Sequence, residues 1–407
     1  MQHVRSKDLF YLLRDTLKLF DRRPIVHGGR VAYIVAKMLS HKGGWEDFEL
    51  ADVVFLTTFH DIGAYRTDDI EQMVLNETRQ FRAHSLYGQL LLNHLTLLGE
   101  MSKVVLNHHI DFATLTKSGY AESELVSYIS MAEAVDIFSG SLGAKFSLDI
   151  FSKQLGTRYS PAAFQLFKDV NDGQNLFEQI RSRAYIAETE KMMDNFILKN
   201  DEKEKLLELL MFALGLKSGM VLCDAAMCVA LCEKLGTMMK LGDIQRQNLI
   251  YAAYLHDIGY MAFPKEWIEA PLQLIAPHQE KLAHHTVLME QLLKDRIRRD
   301  VIAIAATHHE RADGNGYPRK LGEKQMNTAQ MILQFADLTA TMMRPPLDKE
   351  ELVAKIKIQT EGGRFGQTVA RFFLEKIDEI IEYAEPRSEE ILKDWRRVES
   401  QYTQLNP

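Results

Sequence analysis

Fourteen histidines are spread over 407 residues, and most stand in clusters with aspartate close by. The pair His60-Asp61 ends one apolar stretch and the pair His256-Asp257 ends another. A single histidine follows each pair, His84 or His285, and then a doublet, His108-His109 or His308-His309. An aspartate inside an apolar run closes each set, Asp136 in MAEAVDIF and Asp337 in LQFADLTA. An unpaired carboxylate beside a dry core costs on the order of several kcal/mol, and a divalent metal compensates that cost. Imidazole with carboxylate suits a transition metal, and a metal so held activates water. The chemistry expected is therefore metal-assisted hydrolysis.

The elements that position these groups are written twice. The His-Asp pairs lie 196 residues apart, the single histidines 201, the doublets 200 and the late aspartates 201. A Gly/Arg/aromatic segment closes each half, Gly156-Thr157-Arg158-Tyr159 and Gly362-Gly363-Arg364-Phe365. Matched features in one order, with slowly drifting offsets, predict two homologous domains over 1–197 and 203–407, joined near the charged stretch 199–205. Val31, Ile34, Val35, Met38 and Leu39 share one face of a helix. The stretches 52–59 and 247–255 are largely apolar around the helix, which predicts a central buried helix before each His-Asp pair. Proline, 10 of 407, is about half its usual share, and alternating strand patterns are absent. The expected fold is all-α.

Composition narrows the function. Lysine and arginine number 49 against 56 acids, a net charge of −7, which excludes a coat for polymeric nucleic acid. The three cysteines, Cys223, Cys228 and Cys232, sit within ten residues and read as core thiols in a reducing compartment. The first residues lack a signal-peptide pattern, and no apolar run is long enough to span a bilayer, so a cytoplasmic protein without a membrane partner is expected. His3, His41, His94, His278 and His284 have no matched partner and stay outside the metal set.

Both halves resemble HD-superfamily metal-dependent phosphohydrolases, whose signature is an early His, then His-Asp, then a distant Asp on a helical fold. The second half resembles the HD-GYP subfamily over most of 220–375. It carries His308-His309-Glu310, Asp313-Gly314, Gly316-Tyr317-Pro318, Pro264 and Arg344-Pro345-Pro346-Leu347. The first half resembles the broader family over about 25–170 and lacks the GYP loop. The resemblance implies two divalent transition metals in each competent site, iron or manganese, acting on a cyclic dinucleotide in bacterial second-messenger signalling. The substrate implied is cyclic di-GMP, with 3′,3′-cyclic GMP-AMP beside it.

By that resemblance the metal ligands are His27, His60, Asp61, His84, His108, His109 and Asp136 in the first half. In the second they are His256, Asp257, His285, His308, His309 and Asp337. Asp61 and Asp257 take the catalytic, bridging position. The second half lacks the early histidine, since Met220 or Cys223 falls there, and a water or the Cys223 thiolate is the substitute considered. The lysine that usually follows the motif is Ala64 or Tyr260. Arg311, Tyr317, Arg319 and Lys320 around the GYP loop are expected to bind substrate, and the same loop could dock a signalling protein. Two alternatives stand beside the phosphodiesterase: a general nucleotide phosphohydrolase working through the first half, and a catalytically weak cyclic-dinucleotide-binding or docking protein.

Overall fold

A computed structural model describes residues 4–67, 70, 82–96, 98–120, 123–346 and 348–406. His3 and Leu347 lie outside these residues. Among the described residues there are helices and no strands, only two isolated bridges, Leu155 with Tyr159 and Asp313 with Gly322. The all-α expectation holds.

The chain divides into two compact units. One comprises Met1–Phe20 with Lys203–Arg396, the other Asp21–Glu202 with Arg397–Pro407. The expected halves differ from these units at both ends, because each terminal segment packs on the opposite half.

In the N-terminal unit, α2 (Arg22–Lys42) packs along α3 (Asp47–Thr58). Asp21 caps α2 by accepting the Arg23 N–H, and Gly43, at φ 78°, ends it. Shorter helices α4 (Arg82–Leu95) and α5 (Lys103–Asn107) follow, then α6 (Ser123–Leu142), which runs against α2. The carboxyl-terminal segment braces α4. Glu399 accepts hydrogen bonds from Tyr87 and Arg66, and the Tyr402 ring meets Tyr87 edge-on with centroids 5.0 Å apart. Tyr87 lies one turn beyond His84, so this brace supports a cluster residue.

The C-terminal unit repeats the plan. Here α7 (Gly219–Met238) packs against α8 (Asp243–Leu255) and against α11 (Thr328–Met342). Between them come α9 (His285–Leu293) and α10 (Arg299–Ala305). The amino-terminal helix α1 (Ser6–Phe20) buries Leu9, Leu12, Leu13 and Leu17 and packs on the turn Ile258–Ala262 that follows His256-Asp257. Asp15 on α1 accepts from Arg296 at 2.6 Å.

Candidate metal centres

The two His-Asp pairs owe their geometry to helix ends. The last carbonyls of a helix have no partner of their own. The His60 Nδ1–H donates to the Thr57 carbonyl at the end of α3, and the His256 Nδ1–H donates to Ala253 at the end of α8. His108, His285 and His308 repeat this bond to the carbonyl three residues back, at 2.5 to 2.8 Å. A carbonyl only accepts, so Nδ1 carries a proton in each of these rings and Nε2 is the nitrogen turned inward. The glycine two residues after each His-Asp pair, Gly63 or Gly259, is required by close approach. A Cβ on Gly63 would lie 2.0 Å from the His84 carbonyl oxygen, and one on Gly259 would lie 2.0 Å from that of His285.

Each central aspartate faces two ways. Asp61 Oδ1 lies 3.4 Å from His84 Nε2 and 3.6 Å from His108 Nε2, while Oδ2 lies 3.2 Å from His60 Nε2 and 4.0 Å from His27. Asp257 Oδ1 lies 3.7 Å from His285 and 3.5 Å from His308, while Oδ2 lies 3.2 Å from His256. Asp61, His84, His108 and His109 form one group of converging donor atoms, and His27, His60 and Glu133 form another. The C-terminal groups are His285, His308 and His309, and His256, Asp257 and Asp337.

The donor atoms fit metal ions. Among the described residues, His60 Nε2, His108 Nε2 and both Asp61 oxygens are buried and find no hydrogen-bond partner, and the same holds for His256 Nε2 and Asp257 Oδ1. Such atoms are costly unless something binds them. Burial lowers His108 to about 4 and His285 to about 3, so both rings are neutral at physiological pH and available as ligands. Burial also raises the central aspartates, but the neighbouring histidine charge and hydrogen bonds outweigh it and hold both well below the usual carboxylate range.

Asp136 sits differently from its expected place in the cluster. Its carboxylate is held by His27 Nδ1 at 2.7 Å and by Arg30 at 2.5 and 2.7 Å. Glu133, one turn earlier on α6, stands in the group instead, with Oε2 3.7 Å from His109 Nδ1. In the C-terminal unit Asp337 takes that place, 3.6 Å from His256 and 3.7 Å from His309. The residue one turn before it is Gln334, whose amide donates to the Arg364 carbonyl. Sequence reading passed over Glu133 because it is written beside the matched aspartate on the same helical face.

Among the described residues no histidine or cysteine joins His256, Asp257 and Asp337 as His27 joins its group in the N-terminal unit. Cys223 is exposed and lies against Arg396, and its thiol is pushed up by burial of part of its surface, so the thiolate considered from the sequence is not brought to the cluster. Tyr260 stands where the family lysine is expected. Its ring stacks on His285 at 4.0 Å and its hydroxyl lies 3.4 Å from His309 Nε2.

The GYP loop is fastened by Glu310. This buried carboxylate accepts the Arg319 N–H at 2.6 Å and the Leu321 N–H at 2.8 Å. Tyr317 reaches the cluster, with its ring 4.8 Å from that of His309. The Arg311 guanidinium is taken by Asp313 and that of Arg319 by Glu290, while Lys320 is exposed at the loop tip. Of the four residues expected to bind substrate, the structure brings Tyr317 alone against the cluster.

Two family models match this chain, and both describe an HD domain, over residues 25–136 and 204–365. The chain is a tandem HD-domain protein. The chain shares 23% identity over 374 residues with the 3′3′-cGAMP-specific phosphodiesterase 1 of Vibrio cholerae, 84% of each chain. It is 31% identical over 153 residues to a cyclic di-GMP phosphodiesterase of Thermotoga maritima, covering 35% of this chain and 41% of that protein. It thus spans less than half the length of the Thermotoga relative. A crystal structure of a cyclic GMP-AMP-specific phosphodiesterase from Vibrio cholerae shares the fold, with a TM-score of 0.55 and 14% identity over 92% of this chain and 98% of that one. Among the described residues no helix is long and apolar enough to cross a membrane.

Proposed function

We propose that this tandem HD protein is a metal-dependent phosphodiesterase that opens a cyclic dinucleotide, cyclic di-GMP or 3′,3′-cyclic GMP-AMP, and that the C-terminal cluster is where it does so. The observation that carries the reading is the two-faced Asp257, with imidazoles on each side of it and Tyr317 of the GYP loop beside them. His256, Asp257 and Asp337 would hold one divalent ion, and His285, His308 and His309 with the other oxygen of Asp257 a second. Ions held there supply Lewis-acid neutralisation of the phosphoryl oxygens and activation of water. Asp257 would fix their spacing, and the carbonyl bonds of His256, His285 and His308 keep each ring aimed. Tyr317 offers a face on which a base can stack.

A second reading assigns phosphohydrolase activity to the N-terminal cluster. It is favoured by His27, which gives that half the fuller donor set. Purified protein supplied with iron or manganese under anaerobic conditions tests both. The proposal expects turnover of a cyclic dinucleotide that His256→Ala abolishes and His60→Ala spares. Loss on His60→Ala alone, read on a panel of phosphoesters, supports the second reading, and a wild type that turns over neither a cyclic dinucleotide nor any phosphoester of the panel sinks both.

A further inference from the structure

The segment Gly362-Gly363-Arg364-Phe365 closes the second half of the chain without a role in the cluster described above. Its backbone is stitched to two cluster-bearing elements. The Arg364 carbonyl accepts the Ala312 N–H, from the loop after His309, and the Gln334 side chain, from the helix that carries Asp337. The Gly363 carbonyl accepts the Asp313 N–H at 2.9 Å. Gly363 has φ 72°, and a Cβ there would lie 2.9 Å from that of Asp313, so the segment needs glycine to approach this closely. Phe365 anchors it in the core, its ring 4.7 Å from that of Phe335.

These bonds hold Arg364 half-buried on a segment tied both to the loop after His309 and to the helix that carries Asp337, and burial lowers its pKa against the raising effect of the Asp337 charge. The neighbouring cations are already engaged. Arg311 is paired with Asp313, Arg319 with Glu290 and Arg344 with Asp224, and Lys320 is exposed. Among the described residues, Arg364 makes no side-chain hydrogen bond and has no carboxylate within 4.0 Å. A half-buried guanidinium with no carboxylate at bonding distance keeps its N–H donors free for an anion. A further cation beside two bound metal ions would be repelled unless an anion lay between them. The planar fork of arginine matches two oxygens of a phosphodiester.

We infer that Arg364 grips the non-bridging oxygens of the substrate phosphodiester at the C-terminal cluster, which makes it a substrate-binding residue. The inference rests on the cyclic-dinucleotide reading and deepens it. The test uses the full chain as wild type, Arg364→Gln and Arg364→Lys. Kinetics with cyclic di-GMP and 3′,3′-cyclic GMP-AMP are read beside binding of a phosphorothioate cyclic dinucleotide, metal content and melting temperature. Arg364→Gln is expected to raise KM and the analogue Kd by about 10–100-fold, with metal content and melting temperature unchanged. Arg364→Lys keeps the charge without the fork and is expected to fall between. Unchanged KM and Kd overturn the inference. So does a loss of metal in Arg364→Gln, which marks a structural role. Wild type that neither binds nor opens any cyclic dinucleotide sinks the wider reading. In that case bis(p-nitrophenyl) phosphate serves as the probe, and the same KM shift with it supports the pairing of Arg364 with a phosphodiester, while its absence overturns it.

Discussion

Glu310 is written next to two histidines of the cluster, yet its carboxylate faces away from them and clamps the GYP loop. Replacing it with alanine strips the Arg319 and Leu321 N–H groups of their acceptor, bonds now made at 2.6 and 2.8 Å. A hydrogen bond to a charged group contributes about 1.5–3 kcal/mol. Both N–H groups lie near the surface, where water replaces part of each bond, so the pair is worth about 3 kcal/mol. For a unit of this size each kcal/mol corresponds to about 2–4 °C, so Glu310→Ala is expected to lower the melting temperature of the C-terminal unit by about 6–12 °C. Hydrogen exchange should rise at residues 319–321, and Glu310→Gln, which keeps one acceptor oxygen, should show a smaller change. Metal content should hold, because Glu310 is in neither C-terminal group. An unchanged melting temperature with unchanged exchange at the loop would refute the clamp, and a loss of metal with an intact loop would make Glu310 a ligand.

In the N-terminal unit, Glu133→Gln is expected to lower metal content, while Asp136→Asn should chiefly loosen His27 and Arg30; equal metal loss in both would place both carboxylates on metal. Gly259→Ala drives a Cβ to 2.0 Å from the His285 carbonyl and should reduce metal at the C-terminal site while sparing the N-terminal one, as elemental analysis beside His60→Ala will read. Asp15 is pushed up by burial, but Arg14 and Lys18 outweigh this and hold it at about 2. Its contribution of about 2 kcal/mol is thus complete above the unfolded value near 3.9 and is lost as pH falls through the folded value. Urea unfolding of wild type and Asp15→Asn should differ by that amount from pH 7 to 5 and by about half of it at pH 3; a constant difference would contradict the assignment.

Much of this architecture was legible because it rests on local chemistry. Histidines placed three residues after a helix-terminal carbonyl, with an aspartate following the first, are written into the sequence as short motifs, and their recurrence revealed the duplication. What was not legible depends on distant partners. The side chain that reaches the N-terminal cluster, Glu133 or Asp136, is decided by His27 and Arg30, more than a hundred residues away. The engagement of Arg319 and Arg344 depends on Glu290 and Asp224, acids that no motif connects to them. An amphipathic terminal helix declares that it packs but not on what, so the unit that each chain end joins could not be read. Arg364 was visible as part of a repeat, but its lack of a counter-ion appears only once its neighbours are in place.

The central claim is that each half holds metal through one carboxylate that serves both groups. Elemental analysis of wild type, Asp61→Asn and Asp257→Asn, each reconstituted with iron or manganese under anaerobic conditions, tests it most directly. The account predicts that each substitution empties both metal positions of its own unit and leaves the other unit loaded, with cyclic-dinucleotide turnover lost in Asp257→Asn. Full metal occupancy in Asp257→Asn, or a wild-type protein that takes up no metal, would contradict it.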